Sequence, residues 1–145
     1  MQRKASAFWR GGLKDGNGTV STDSGILKET SYSFGSRFEN QPGTNPEELI
    51  AAAHAGCYSM ALANILGSMG LKPENIDTKA TLTLEKQDAG FTITGIHLDV
   101  TARVPGAERT KFQEAANKAK EGCVVSRALN TKITVNATLA AEKAA

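Results

Sequence analysis

The chain is poor in cysteine and aromatic residues: its 145 residues include two Cys, five Phe, two Tyr and one Trp. Two cysteines cannot build the dense disulfide scaffold that stabilises small secreted domains. The 17 Lys and Arg residues are scattered rather than clustered, so no nucleic-acid partner is expected. The first twelve residues contain no apolar run, which argues against a signal peptide and makes a cytoplasmic location the expectation.

The length suits a single domain spanning residues 1–145 with its own hydrophobic core. One stretch, Leu49 to Leu66, is about long enough to cross a membrane. It contains His54, Asn64 and a glycine, and many of its apolar residues are alanines. A helix buried inside protein therefore fits better, and no membrane partner is expected.

The first part of the chain predicts an antiparallel meander of three strands. Residues 2–10 form the first strand, and the turn signal Asp15-Gly16-Asn17-Gly18 leads into the second, near Thr19 to Thr22. The alternation of aromatic and small polar residues from Ser31 to Arg37 predicts the third strand.

A long helix follows, with clear signals at both ends. Asn45 suits the N-cap, Pro46 the first helical position and Glu48 the acidic position of a capping box. Apolar residues continue to Met69, and Gly70 ends the helix. A helix this long and apolar is expected at the centre of the fold, covered by sheet, by a partner chain or by both.

The second half returns to strands. Apolar alternation between residues 80 and 100 changes phase at Gly95, which predicts a β-bulge. A helix from Ala107 to Glu121, a short helix or turn from Val124 to Leu129 and a last strand from Thr131 to Thr138 follow. The order favours an α+β fold, with antiparallel sheets wrapped around the long central helix, over a parallel βαβ array.

Two interpretations of the cysteines remain open at this point. Cys57 lies midway along the long helix, and Cys123 follows a glycine at the end of a later helix. Without an export signal the pair is not expected to be a structural disulfide. The two are either a reactive thiol with a second thiol to resolve it, or small buried hydrophobic residues.

A reactive thiolate requires a cation or dipole that lowers its pKa. Two arginines are candidates: Arg37, which is close in sequence to Glu47 and Glu48, and Arg127, four residues after Cys123. An arginine held by a carboxylate suits this role. The alternative is that Arg37 is a solvated charge at a strand end. Between the two glutamates, Glu48 is better explained by capping its own helix, which leaves Glu47 for the site.

The spacing of Glu47 and Cys57 constrains any shared site. Ten residues along one helix correspond to roughly 15 Å, so the two side chains cannot meet within one chain. If both serve one site, the acid comes from a second subunit whose helix runs antiparallel. The hypothesis therefore requires a two-fold homodimer with two shared sites.

His54 lies one turn before Cys57, which raises the alternative of a Cys57–His54 hydrolase. Neither histidine is spaced from a cysteine as zinc ligands are, so no metal site and no cofactor are expected.

The run TNPEELIAAAHAGC from Thr44 to Cys57, with Gly122-Cys123 downstream, resembles the osmotically inducible protein C (OsmC) family. That family is related to the organic hydroperoxide resistance (Ohr) proteins, and the histidine in the helix favours the OsmC branch. The resemblance extends over nearly the whole chain and includes the stretch around Arg37. It departs at Val124, where family members commonly have proline.

The resemblance implies a thiol-dependent peroxidase that reduces organic hydroperoxides to alcohols and protects against oxidative or osmotic stress. Cys57 would be the peroxidatic thiol, Cys123 the resolving thiol, and Arg37 and Glu47 the residues that activate the thiolate and orient the peroxide. The fold implied is an intertwined homodimer, and a dithiol such as a lipoyl group would be the reductant. A hydrolase and a non-catalytic stress-related binding protein are the remaining alternatives.

Overall fold

The computed structural model describes residues 1–142. Contacts group the chain into two compact units that divide between Leu49 and Ile50. The first unit contains an antiparallel sheet in the order β1-β2-β3, with β1 at Ala5–Arg10, β2 at Asn17–Thr22 and β3 at Thr30–Tyr32. This confirms the predicted meander.

Gly18 explains how the rings of this sheet meet. It pairs with Trp9 on β1 and with Tyr32 on β3. Any side chain here would overlap the Phe8 carbonyl and both rings. With glycine in place, the Trp9 and Tyr32 rings lie 5.3 Å apart between centroids.

The expected strand from Ser31 to Arg37 is wrong beyond Tyr32, because a short helix, α1, begins at Phe34 and ends at Phe38. Ser33 is its N-cap: the Ser33 hydroxyl accepts from the Ser36 amide, and the Ser36 hydroxyl accepts from the Ser33 amide. These reciprocal bonds satisfy the amides of the first turn. They outweigh the strand-like alternation of the aromatic residues, and Arg37 therefore lies on a helix.

The long helix, α2, spans Pro46–Ser68 and begins as predicted. The Glu48 amide donates to Asn45 Oδ1 at 2.7 Å, and the Glu48 carboxylate accepts from the Asn45 side-chain amide at 3.4 Å. The helix ends one residue earlier than expected, before Gly70, whose φ of +75° suits glycine.

By length and composition alone, α2 could cross a membrane. In the structure one face of it, formed by His54, Tyr58, Leu62 and Leu66, is buried in the protein. Met60, on another face, is 76% exposed in the single chain. The sequence predicts a helix that is covered on most sides. Within one chain, the structure covers one face of it.

The second unit contains a sheet in the order β4-β5-β6, with β4 at Asn75–Gln87, β5 at Gly90–Arg103 and β6 at Lys132–Leu139. Thr83 pairs with Gly95 and Leu84 with Ile93, so Thr94 is the extra residue of a bulge. The predicted bulge is therefore confirmed next to Gly95. Helix α3, Arg109–Gly122, and the short helix α4, Val124–Ala128, connect β5 to β6.

One feature of this sheet differs from the expectation: β6 pairs with β5 in parallel. The expected sheets were antiparallel throughout. Parallel neighbours need a long crossover, usually helical, and α3 with α4 provides it. The fold is thus mixed α+β, with a parallel crossover between β5 and β6.

The second unit has a hydrophobic core to which Cys123 belongs. The buried stripe of α2 belongs to one hydrophobic cluster with β5 and the apolar face of α3. On β5 and α3 the buried members are Ile96, Leu98, Val100, Ala102, Phe112, Ala115, Ala116 and Ala119. The Tyr58 hydroxyl donates to the Ala116 carbonyl at 3.0 Å and so ties α2 to α3.

Candidate active site

The two cysteines lie together in the second unit, and both are free thiols. Cys57 projects from α2 and is partly exposed, whereas Cys123 links α3 to α4 and is 1% exposed. Their side chains are within hydrogen-bonding reach of each other. A pair of thiols in contact can be oxidised to a disulfide without a large movement of the backbone.

The two thiols differ in acidity. Burial raises the pKa of Cys57, and Cys123 raises it further, while the amides of Val125 and Val124 oppose the rise. Burial also acts to raise the pKa of Cys123. Hydrogen bonds outweigh burial and lower this pKa overall; they come from the Ser126 amide, the Cys57 thiol, the Ser126 hydroxyl and the Val125 amide.

Because the two thiols interact, the first proton is lost by the pair as a unit. The groups named above as acting on the pKa of Cys57 include no positively charged side chain.

Arg37 forms a bidentate ion pair with Glu47 in the first unit. Arg37 Nη2 and Nε donate to Glu47 Oε1 at 2.6 and 2.9 Å, and Nε also reaches Oε2 at 3.1 Å. The guanidinium lies over the Phe38 ring, 5.0 Å from its centroid. Contacts on the guanidinium edge and face hold it in one orientation.

The contacts of the two adjacent glutamates divide as the sequence predicts. Glu47 pairs with Arg37, while Glu48 is engaged with the N-cap residue Asn45. The catalytic roles of Arg37 and Glu47 stay predictions. The structure brings the four predicted site residues together as two pairs, Cys57 with Cys123 and Arg37 with Glu47, one pair in each unit.

A cavity of about 270 Å³ lies beside Arg37 in the first unit. Its lining is mostly aromatic or apolar, with Arg37 as its charged member: Trp9, Leu13, Tyr32, Ser33, Phe34, Arg37 and Phe38. Sequence reasoning missed this cavity, because its residues come from three separate segments. The available signal was Gly18, which pairs with both Trp9 and Tyr32.

His54 is fully buried, and its Nε2 lies 2.7 Å from Ser126 Oγ on α4. The other ring nitrogen, Nδ1, has no hydrogen-bond partner among residues 1–142. The Cys57–His54 pair that a hydrolase would need is thus not formed by hydrogen bonding within the part of the chain that the structure describes. Sequence reasoning missed Ser126, since nothing in the local sequence relates it to His54.

Metal binding needs several ligands in one place. Among the described residues, no cluster of three or more His, Cys, Asp or Glu side chains is suitable for an ion.

Comparison with known proteins gives consistent relatives. The family described as OsmC-like protein matches residues 38–138. Peroxiredoxin OsmC of Escherichia coli K12 is 50% identical over 136 residues, covering 94% of this chain and 95% of that protein. Organic hydroperoxide resistance protein OhrB of Bacillus subtilis 168 is 32% identical over 119 residues, covering 81% of this chain and 85% of that protein.

The fold is also found among solved structures. The crystal structure of OhrB of Bacillus subtilis superposes with a TM-score of 0.69 at 27% identity and covers 97% of this chain and 98% of that one.

Proposed function

This chain belongs to the OsmC-like protein family, and on that basis we propose that it is a peroxidase that reduces organic hydroperoxides to alcohols through Cys57 and Cys123. The observation that carries the proposal is the contact between the two thiols, one partly exposed and one buried. An exposed thiol can meet a peroxide, and a buried neighbour can resolve the oxidised product.

The substrate class follows from the relatives and from the cavity. The two curated relatives are named as a peroxiredoxin and an organic hydroperoxide resistance protein. The cavity beside Arg37 has an apolar, aromatic lining and one fixed cation. Such a surface suits an alkyl or aryl hydroperoxide, whose organic group is apolar and whose reaction releases an anion.

The reaction has three steps. The Cys57 thiolate attacks the distal peroxide oxygen, the O–O bond breaks, and the leaving alkoxide takes a proton to give the alcohol. The Cys123 thiolate then attacks the Cys57 sulfenic acid, so that an S–S bond forms and the hydroxide leaves as water after protonation. A dithiol reductant, for which a lipoyl group is the candidate, reduces the Cys57–Cys123 disulfide to two thiols and is itself oxidised to a disulfide.

We further propose that the active form is a homodimer in which each Cys57 is served by the Arg37–Glu47 pair of the second chain. Two observations support this. Cys57 needs a cation, because its pKa in the single chain is raised. Much of the apolar helix α2 also lies uncovered in one chain, including Met60. Glu47 and Cys57, ten residues apart on α2, are separated by about 15 Å along its axis.

We place the enzyme in the cytoplasm, where reducing conditions regenerate free thiols. Its role there is protection against oxidative or osmotic stress.

The first experiment measures peroxide consumption by the reduced protein, with cumene hydroperoxide compared with hydrogen peroxide, followed by intact mass. We expect faster loss of the organic peroxide and a decrease of about 2 Da, which corresponds to one disulfide. Cys57→Ser should abolish consumption. Cys123→Ser should permit one turnover and leave a sulfenic acid that a dimedone probe captures.

Unchanged peroxide with both thiols intact would overturn the proposal. The binding-protein alternative would then be favoured if neither thiol reacts with a thiol reagent until the protein unfolds. The hydrolase alternative predicts ester turnover that survives Cys123→Ser.

A further inference from the structure

The peroxidase cycle leaves one buried polar contact unexplained. His54 is 0% exposed, and its single hydrogen bond among the described residues joins Nε2 to Ser126 Oγ at 2.7 Å. A polar ring is costly to bury, and a leucine would fill the same stripe of α2 without that cost. The contact connects α2 to α4, the short helix that follows Cys123.

The surroundings of His54 fix the position of its proton. Burial lowers the pKa of His54, so the ring is neutral and carries one N–H. Nδ1 has no acceptor among residues 1–142, and an N–H there would be a buried donor without a partner. The proton therefore lies on Nε2, which donates to Ser126 Oγ.

This tautomer determines the direction of the next hydrogen bond. Since Ser126 Oγ accepts from His54, its own O–H is free to donate. Ser126 lies three residues after Cys123, on α4, and its hydroxyl is one of the hydrogen-bonding groups that lower the pKa of the Cys123 thiol. A hydroxyl whose oxygen already accepts a bond is polarised and is a stronger donor.

We propose that His54 and Ser126 are positioning residues that form a directed chain of hydrogen bonds, Nε2–H to Oγ–H to Sγ, and that this chain stabilises the Cys123 thiolate for the resolving step. This inference rests on the proposed peroxidase function. It assigns a role to two residues that are not among the four predicted site residues.

The chain matters most after Cys57 has been oxidised. In the reduced protein the Cys57 thiol also donates to Cys123. Once Cys57 is a sulfenic acid that thiol donor no longer exists, whereas the Ser126 hydroxyl can still donate to the Cys123 sulfur. Cys123 then attacks as the thiolate, S–S forms, S–O breaks and the hydroxide is protonated to water.

The test is a titration of Cys123 in a Cys57→Ser background, followed by the ultraviolet absorbance of the thiolate. At a fixed pH below the pKa, Ser126→Ala should lower the fraction of Cys123 that is thiolate by about tenfold. This is the effect expected from the loss of one hydrogen bond to a charged acceptor. Ser126→Thr keeps the hydroxyl and should titrate as the parent does. An unshifted Ser126→Ala titration would overturn the proposal.

His54 is tested in the same way with a matched pair. His54→Leu removes the donor, and His54→Gln keeps an amide N–H near the position of Nε2. We expect the Leu variant to shift in the same direction as Ser126→Ala, and the Gln variant to shift less. Equal shifts in both variants would indicate a packing effect and would contradict the directed chain.

A kinetic measurement relates the chain to the reaction. With Cys57 present, Ser126→Ala should slow the conversion of sulfenic acid to disulfide by about threefold, because the loss of thiolate is partly offset by its higher nucleophilicity. The step in which Cys57 reduces peroxide should change less. If the protein reduces no peroxide, the proposed function fails, while the titration still decides the hydrogen-bond chain.

Discussion

The Glu47 carboxylate and the Phe38 ring hold the Arg37 side chain in position. Its Nε and Nη2 both donate to Glu47, and its guanidinium plane lies over Phe38. A lysine ammonium could meet one carboxylate oxygen, but it could neither bridge both nor stack in the same way. The geometry that orients the charge therefore depends on arginine rather than on charge alone.

Arg37→Lys tests this dependence. We expect kcat/KM for cumene hydroperoxide to fall by roughly 10- to 100-fold, the loss of one or two charge-assisted hydrogen bonds. Arg10→Lys is the matched control, because Arg10 also lies over a ring, that of Phe8 at 5.6 Å, but belongs to no predicted site. Equal losses in both variants would contradict a specific role for Arg37.

His54 also makes stability depend on pH. Its pKa is lowered in the folded protein by burial, so the unfolded chain binds a proton more readily. As pH falls below about 6.5, the unfolded value, folding stability should decrease by up to about 1.4 kcal/mol per pH unit. Urea unfolding at several pH values would measure this slope.

His54→Gln should flatten the slope below about pH 6.5, since the glutamine does not titrate. His97→Gln is the control, because the His97 side chain is 44% exposed whereas His54 is buried. A slope that persists in His54→Gln would assign the pH dependence to other groups.

At the scale of elements, the backbone at the start of α4 suits the proline that the family resemblance leads us to expect after the second cysteine. Cys123 has φ −59° and ψ 125°, the extended conformation that a residue before proline prefers. Val124 occupies the first position of α4 and is 69% exposed, and a first helical position tolerates proline. The backbone of Cys123 thus has the geometry of a residue before proline, although residue 124 is valine.

Val124→Pro should therefore change the free energy of unfolding by less than about 1 kcal/mol, because a less flexible unfolded chain favours the variant and the lost hydrogen bond of the Val124 amide disfavours it. It also removes the Val124 amide, one of the groups that lower the pKa of Cys57, so less Cys57 thiolate should form at a given pH. Urea unfolding measures the first effect, and a thiolate titration in a Cys123→Ser background measures the second. A loss of stability well above about 1 kcal/mol would show that position 124 does not accept a proline ring.

Local signals in the sequence predicted some elements well and others poorly. The start of α2 was predictable because Asn45, Pro46 and Glu48 act within one turn. The bulge at Thr94 was predictable because it reverses the alternation of apolar residues. Helix α1 was missed because its serine caps compete with an aromatic alternation, and the parallel pairing of β6 was missed because strand direction leaves no local pattern.

In the candidate site, too, some features could be predicted from the sequence and others could not. Cys57, Cys123, Arg37 and Glu47 were nominated by residue type and by family resemblance, and their pairing is a result of the structure. Ser126 and the aromatic cavity depend on contacts between distant segments. Such contacts are set by packing, and a single sequence does not display them.

At the scale of the whole molecule, the proposed dimer makes a prediction about mixed subunits. Arg37→Ala and Cys57→Ser proteins should each be nearly inactive alone. In a hybrid dimer, one site would combine the intact Cys57 of one chain with the intact Arg37 of the other. Random exchange of subunits should then restore about a quarter of the wild-type activity.

The measurement is peroxide consumption after the two proteins are mixed under conditions that allow subunits to exchange. Cys57→Ser mixed with Cys123→Ser, Arg37→Ala is the control, because no hybrid site then has both thiols and the arginine. No recovery in the first mixture, with exchange verified by mass, would contradict a site shared between chains.

The parallel pairing of β6 with β5 has a consequence for how the enzyme is made. Strands β4 and β5 are joined by a tight turn and can pair early, whereas β6 reaches β5 only after the whole α3–α4 crossover has been synthesised. Cys123 lies within that crossover and Cys57 precedes the sheet. The two thiols therefore come together only after the chain from residue 57 to residue 123 has been made and the crossover has packed, so their disulfide cannot close while β4 and β5 are still being synthesised.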